Sequence, residues 1–126
     1  MTTQSILGNT RRPDISFFAS GKIDITSRIV KALGIAEGDV VDIMVGGGEY
    51  YFYVSIPSSM VCGKHEAQCY PSKHGSRHYR AYSRRLCSAI FNASGFDKQA
   101  CFAAGEVVEV NGRKAIPIII RKNYIS

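Results

Sequence analysis

The sequence predicts a mainly β fold of the α+β class, with two short helices and a plan that occurs twice along the chain. Three observations predict it. Short runs rich in β-branched and aromatic residues recur, as in DISFFA, VVDIMV and EYYFYVSI. Two segments with helical spacing of apolar residues, SRIVKAL and SRRLCSAIFN, are each closed by a glycine. Turn-forming residues separate these runs at short intervals.

In the first half, residues 14–19 read as a strand, Ser20 and Gly21 as a tight turn, and residues 22–25 as the returning strand. Thr26 is suited to cap a helix over residues 27–33, with Ile29, Val30 and Leu33 inward and Gly34 as its stop. Residues 36–39 form a turn. Residues 40–45 are a strand, residues 46–48 a glycine turn, and residues 49–56 the partner strand.

The second half follows the same plan. Residues 66–70 and 77–82 are strand candidates around a turn at 71–76. A helix is expected over 83–92, ended by Gly95. Strands are expected at 98–103, 106–110 and 115–120, with Asn111 and Gly112 as a hairpin turn. Pro117 has no N–H to donate, so the last strand is expected at a sheet edge. Ser27 and Arg28 match Ser83 and Arg84 at the helix starts, and Gly34 and Ile35 match Gly95 and Phe96 at the helix ends. The expected organisation is a polar arm at 1–12, one unit at 13–58, and a second unit of similar plan at 64–126, interlocked with the first.

Charge is divided unequally. Residues 1–63 carry five Lys/Arg against six acids, a net of −1, and residues 64–126 carry eleven against four, a net of +7. The second half therefore calls for an acidic partner, nucleic acid foremost. No apolar run is long enough to span a bilayer, and the N-terminal residues lack the apolar core of a signal peptide. Four cysteines without a CxxC pair fit reduced thiols in a cytoplasm.

Residues 21–54, GKIDITSRIVKALGIAEGDVVDIMVGGGEYYFYV, resemble the swapped-hairpin motif of the SpoVT/AbrB and MazE family. The resemblance lies in Gly21, Lys22, Ile23, Ile25, Leu33, Gly34, Ile35, Gly38, Asp39, Val41 and Ile43, with L-G-apolar-x-x-G-D its most distinctive run. Thr26 replaces the family's proline before the helix, and Asp24 stands where the family carries no acid. The first strand, ISFFA, lacks the basic residues of DNA-binding members. The resemblance implies a swapped-hairpin, barrel-like fold in which two copies interlock, here as a pseudo-dimer within one chain or as a homodimer. It also implies a non-enzymatic, cytoplasmic DNA-binding regulator of prokaryotic or phage type, with duplex DNA as partner, no cofactor and no membrane. The alternative within the same fold is an antitoxin-like or other protein-interaction module.

The hairpin and helix start form the DNA-facing surface in that family, so its second copy here points to Lys73, Arg77, His78, Arg80, Arg84 and Arg85. Arginine can grip phosphate or read guanine, and the interleaved Tyr79 and Tyr82 can stack on bases. Cys62, His65, Cys69, His74 and His78 share seventeen positions, but their spacing fits no established zinc module, and no metal is expected. No nucleophile elbow, P-loop or HExxH is present. In the strand at 49–56, Tyr51 and Tyr53 share one face and Tyr50 and Phe52 the other, which suits packing or a subunit contact.

Overall fold

The computed structural model describes residues 13–73 and 76–120; the arm expected at 1–12, and His74, lie outside the described residues. The first half forms β1 (Ile15–Phe18), β2 (Lys22–Ile25), α1 (Ser27–Leu33), β3 (Val40–Gly46) and β4 (Glu49–Ile56). The second forms β5 (Tyr70–Pro71), β6 (Tyr79–Tyr82), α2 (Arg84–Ser94), β7 (Gln99–Phe102), β8 (Val108–Val110) and β9 (Arg113–Ile118). The strands build two antiparallel sheets, ordered β5-β6-β2-β1-β7 and β3-β4-β9-β8. Among the described residues both sheets are open, so the barrel-like closure expected from the resemblance is not seen. Each sheet takes strands from both halves. Exchanging β1 with β5, β2 with β6, β3 with β8 and β4 with β9 leaves both orders unchanged, with β7 as an added strand beside β1.

Alternation decides what each strand buries. Ile15 and Phe17 of β1, Ile23 and Ile25 of β2, and Ala81 of β6 face inward, meeting Val41, Phe52, Ile116 and Ile118 of the second sheet in one core. Each of these larger side chains contributes about 1.5–3 kcal/mol by leaving water. Helix α2 adds Cys87 and Ile90, spaced to share one face, and packs on β1, β2 and β7.

Several boundaries differ from expectation for identifiable reasons. Residues 66–70 do not form a regular strand. Ala67 takes a φ of +64°, and the segment divides its hydrogen bonds between two neighbours. The Ala67 N–H donates to the Tyr82 carbonyl at 2.8 Å, while the Ala67 carbonyl accepts from Val41 at 3.1 Å. β6 starts at Tyr79 rather than 77, because the Ser76 hydroxyl accepts the His78 N–H and holds that end as a turn. β9 starts two residues early, since the two-residue Asn111–Gly112 turn, both at positive φ, sets Arg113 opposite Val110. Pro117 does not mark an edge strand: β9 lies between β4 and β8. Its carbonyl accepts from Gly105 at 2.9 Å, so its N-side faces away from β4, beyond the end of β8, and the missing donor costs the β4 ladder nothing.

The helix starts also differ. Ser83, expected as the first residue of α2, is its N-cap, and its hydroxyl accepts the Leu86 N–H at 3.1 Å. Thr26 is the N-cap of α1, so the structure aligns Thr26 with Ser83, one position from the match of Ser27 with Ser83. The Thr26 hydroxyl does not cap; it donates to the Asp14 carbonyl at 3.1 Å. Gly21 sits at φ +95° under the start of α2. A Cβ there would lie 2.9 Å from Arg84 Cγ and 3.2 Å from the Arg84 nitrogen, so only glycine fits.

Two buried carboxylates fasten the irregular segments. Asp14 accepts the Ala104 N–H at 2.8 Å, while Arg28 Nη2 donates to the Ala104 carbonyl at 3.2 Å, tying α1 to the stretch after β7. Asp39 explains the Gly-Asp of the motif. One carboxylate oxygen accepts the Ala36 N–H and the other the Ser58 N–H, both at 2.7 Å, and its own carbonyl accepts from Cys69 at 2.7 Å. Asp39→Ala removes the acceptor of both N–H groups, although Ala36 and Ser58 are themselves exposed and water can take its place. The substitution should lower unfolding free energy in urea by about 1–3 kcal/mol, at about 0.5–1.5 kcal/mol for each lost hydrogen bond.

Candidate nucleic-acid interface

Because Ile23, Ile25 and Ala81 point inward, Lys22, Asp24, Arg80 and Tyr82 point outward from the five-stranded sheet. The β2–β6 register sets Asp24 opposite Arg80 and Lys22 opposite Tyr82, and β5 adds Tyr70 opposite Arg80. The outer face thus has a mixed basic and aromatic centre where the two halves meet. Arg80 Nε lies 3.4 Å from the Asp24 carboxylate and Lys22 Nζ 3.9 Å from it. Lys22 also sits 4.2 Å above the Phe18 ring. All three charged side chains remain about a third exposed, so the pairs are weak and can be exchanged for other partners.

One groove borders this centre and a second lies beside α1. The first, of about 550 Å³, runs between Arg80 and Tyr82 on β6 and the segment carrying Lys64, His65, Gln68 and Tyr70. The second, of about 440 Å³, includes Arg28, Lys31, Arg77 and Tyr79.

The six residues singled out from the sequence do not form one patch. Arg80 alone is on the outer face of the sheet. Lys73, Arg77 and His78 lie in the β5–β6 connection, all exposed. Arg84 and Arg85 occupy the first turn of α2 and diverge: Arg84 lies against Gly21 in the turn before β2, whereas Arg85 lines a cleft with Asp42, Ser55 and Glu66. His78 has a structural task, because its Nδ1 accepts the Ser27 N–H at 3.0 Å and so replaces the missing Thr26 cap of α1. Tyr79 is half-buried on the core side, opposite Ile25.

Sequence reasoning missed Lys22, Lys64, His65 and Tyr70 as site residues. Lys22 and Asp24 were legible as outward positions of a strand, but their meeting with Arg80 depends on pairing across 56 residues. Lys64 lies in a connection without periodicity, His65 stood out only as a member of the Cys/His cluster, and Gln68 fell within an expected strand.

His74 of the Cys/His cluster lies outside the described residues, and the described members are spread apart. Cys69 is in the core, Cys62 is exposed, and the His65 ring is 3.1 Å from the Cys62 carbonyl through Nε2. Among the described residues no group of three His, Cys, Asp or Glu side chains is placed to hold a metal ion. Nor is any helix among them long and apolar enough to cross a membrane. Compared with protein-family models, with curated proteins and with solved structures, the chain matches none.

Burial, reinforced by the nearby charge of Asp39, pushes the Cys69 thiol up to about 12, and burial raises Cys87 as well. Cys62 and Cys101 are exposed. At pH 8 a thiol reagent should label two cysteines of the native protein quickly and four after unfolding, counted by mass spectrometry. The pH dependence has a definite sign. The Cys69 thiol ionises near 9.0 when unfolded but stays protonated to about 12 when folded, so its contribution is complete below pH 9 and is lost between 9 and 12.

Proposed function

We propose that this protein is a non-enzymatic, cytoplasmic DNA-binding protein acting in transcription regulation, and that duplex DNA lies across the outer face of the five-stranded sheet. The observation that carries the proposal is the β2–β6 junction, where Lys22 and Arg80 stand beside exposed Tyr70 and Tyr82. The +7 net charge of residues 64–126 supports it. The symmetric strand order supports the further view that the chain is an internally duplicated, swapped-hairpin pseudo-dimer resembling the SpoVT/AbrB and MazE type. In that arrangement the junction between the halves is the centre of the DNA-facing surface, and Arg84 extends it at the turn before β2. Asp24 tempers the face by holding both cations, and approaching phosphates compete with it.

A second reading, a protein-interaction or antitoxin-like module, draws on the other sheet. There Val45 on the edge strand β3, Val108 on the opposite edge strand β8, and Ile119 beyond β9 are exposed, leaving apolar side chains at both edges of the sheet.

Binding to a generic duplex should weaken steeply with salt, with a log–log slope of about −0.9 per phosphate neutralised. Arg80→Ala and Arg84→Ala should each reduce the slope by about one, and Arg85→Ala should leave it unchanged. Asp24→Asn should raise affinity severalfold at low salt. Fluorescence anisotropy measures all four; absence of duplex binding at low salt would transfer the case to the protein-interaction reading.

A further inference from the structure

The groove of about 550 Å³ beside β6 has features that a flat phosphate-binding face does not need. Tyr70 and Tyr82 are 46% and 55% exposed, although tyrosines of this sheet could have turned their rings to the core as Tyr79 does. They stand on the same side of the sheet. Tyr70 is opposite Arg80, and Tyr82 is two residues further along β6, so both rings border one hollow. The rim carries Lys64 and Arg80 and no acid. Asp24, from the neighbouring strand, engages Arg80 only through Nε, and the terminal guanidinium nitrogens make no hydrogen bond among the described residues.

The far wall is held in place before any ligand arrives. The Gln68 side-chain oxygen accepts the His65 N–H at 2.8 Å, and its amide donates to the Gly38 carbonyl at 3.4 Å. Behind it, Gly38 donates to the Cys69 carbonyl at 2.7 Å, and Cys69 donates to Asp39. The hollow therefore keeps its shape in the absence of a ligand, as small-molecule sites do.

We infer that this groove is a site for a single unstacked nucleotide, with its base against the tyrosine rings and its phosphate between Lys64 and Arg80. A tyrosine and a cation on each side of the groove match a ligand that joins an aromatic ring to an anion. A paired base within a duplex has both faces covered by its neighbours and cannot enter. The ligand is thus a nucleotide of a single strand, one extruded from a duplex, or a free mononucleotide. This deepens the nucleic-acid reading by giving the sheet face a neighbouring place that only unpaired bases reach.

The test uses the full-length protein and three probes: a single-stranded hexanucleotide containing 2-aminopurine, the same strand in a duplex, and dAMP. The hexanucleotide should bind with quenching of 2-aminopurine fluorescence as the base stacks. Tyr82→Ala should weaken binding by about tenfold and abolish the quenching, whereas Tyr82→Phe, which keeps the ring, should retain both. Lys64→Ala should weaken binding and reduce its salt dependence. Competition by dAMP at concentrations similar to the hexanucleotide identifies a free nucleotide as the ligand, and weak competition identifies a strand. Tyr82 is half exposed, so an unchanged melting temperature verifies that the variants fold. Duplex binding without quenching by the single strand would overturn the nucleotide site and leave the sheet-face proposal standing. Quenching without duplex binding would do the reverse.

Discussion

Four antiparallel pairs, from Lys22 opposite Tyr82 to Ile25 opposite Tyr79, join strands that are more than fifty residues apart in the chain. With them in place, Ile23, Ile25 and Ala81 close the inner face of one sheet and Lys22, Asp24 and Arg80 are brought together on its outer face. The start of α1 depends on the same junction, because His78, one residue before β6, supplies the hydrogen bond that Thr26 does not. So does the start of α2, since Ser83 follows β6 directly and donates its backbone N–H to Gly21 at 2.8 Å. A shift of this register by one residue would turn Arg80 and Tyr82 into the core and Ala81 out of it. Core formation and the chemistry of the outer face are consequences of one ladder.

Regular elements were legible where local chemistry alone decides them. Lys22–Ile25, Ser27–Leu33 and Glu49–Ile56 have the bounds expected from alternation, helical spacing and the Gly34 stop, because each depends on residues within a few positions of itself. Gly21 and Asp39 were visible as motif residues, but their reasons were not. One lies under the first turn of α2, and the other bridges Ala36 and Ser58. Residues 66–70 were misread because Ala67 bonds to β6 in one sheet and β3 in the other while Cys69 bonds to the turn before β3, a requirement with no periodic signature. Pro117 was misplaced because proline excludes a donor on one side only, and the sequence does not say which side is occupied.

The candidate site was less legible than the fold for the same reason. A run of basic residues in sequence looked like a basic patch. Three different elements aim those residues in different directions: the β5–β6 connection, β6 itself and the first turn of α2. Only Arg80 meets the aromatic and basic residues contributed by β2, β5 and the 64–68 segment. Residue type was readable one position at a time; convergence required the pairing of distant strands.

The sharing of both sheets between the two halves also bears on synthesis. As the chain leaves the ribosome, β2 and β4 are complete long before β6 and β9 exist, and each has one edge with no strand to pair. Folding must wait for contacts of long sequence separation, which places this small protein among slow, high-contact-order folders. During that interval the open edges of one nascent chain fit β6 and β9 of another copy as well as its own. At high local concentration, as on a polysome, the same ladders that make the monomer are the route to a strand-exchanged dimer.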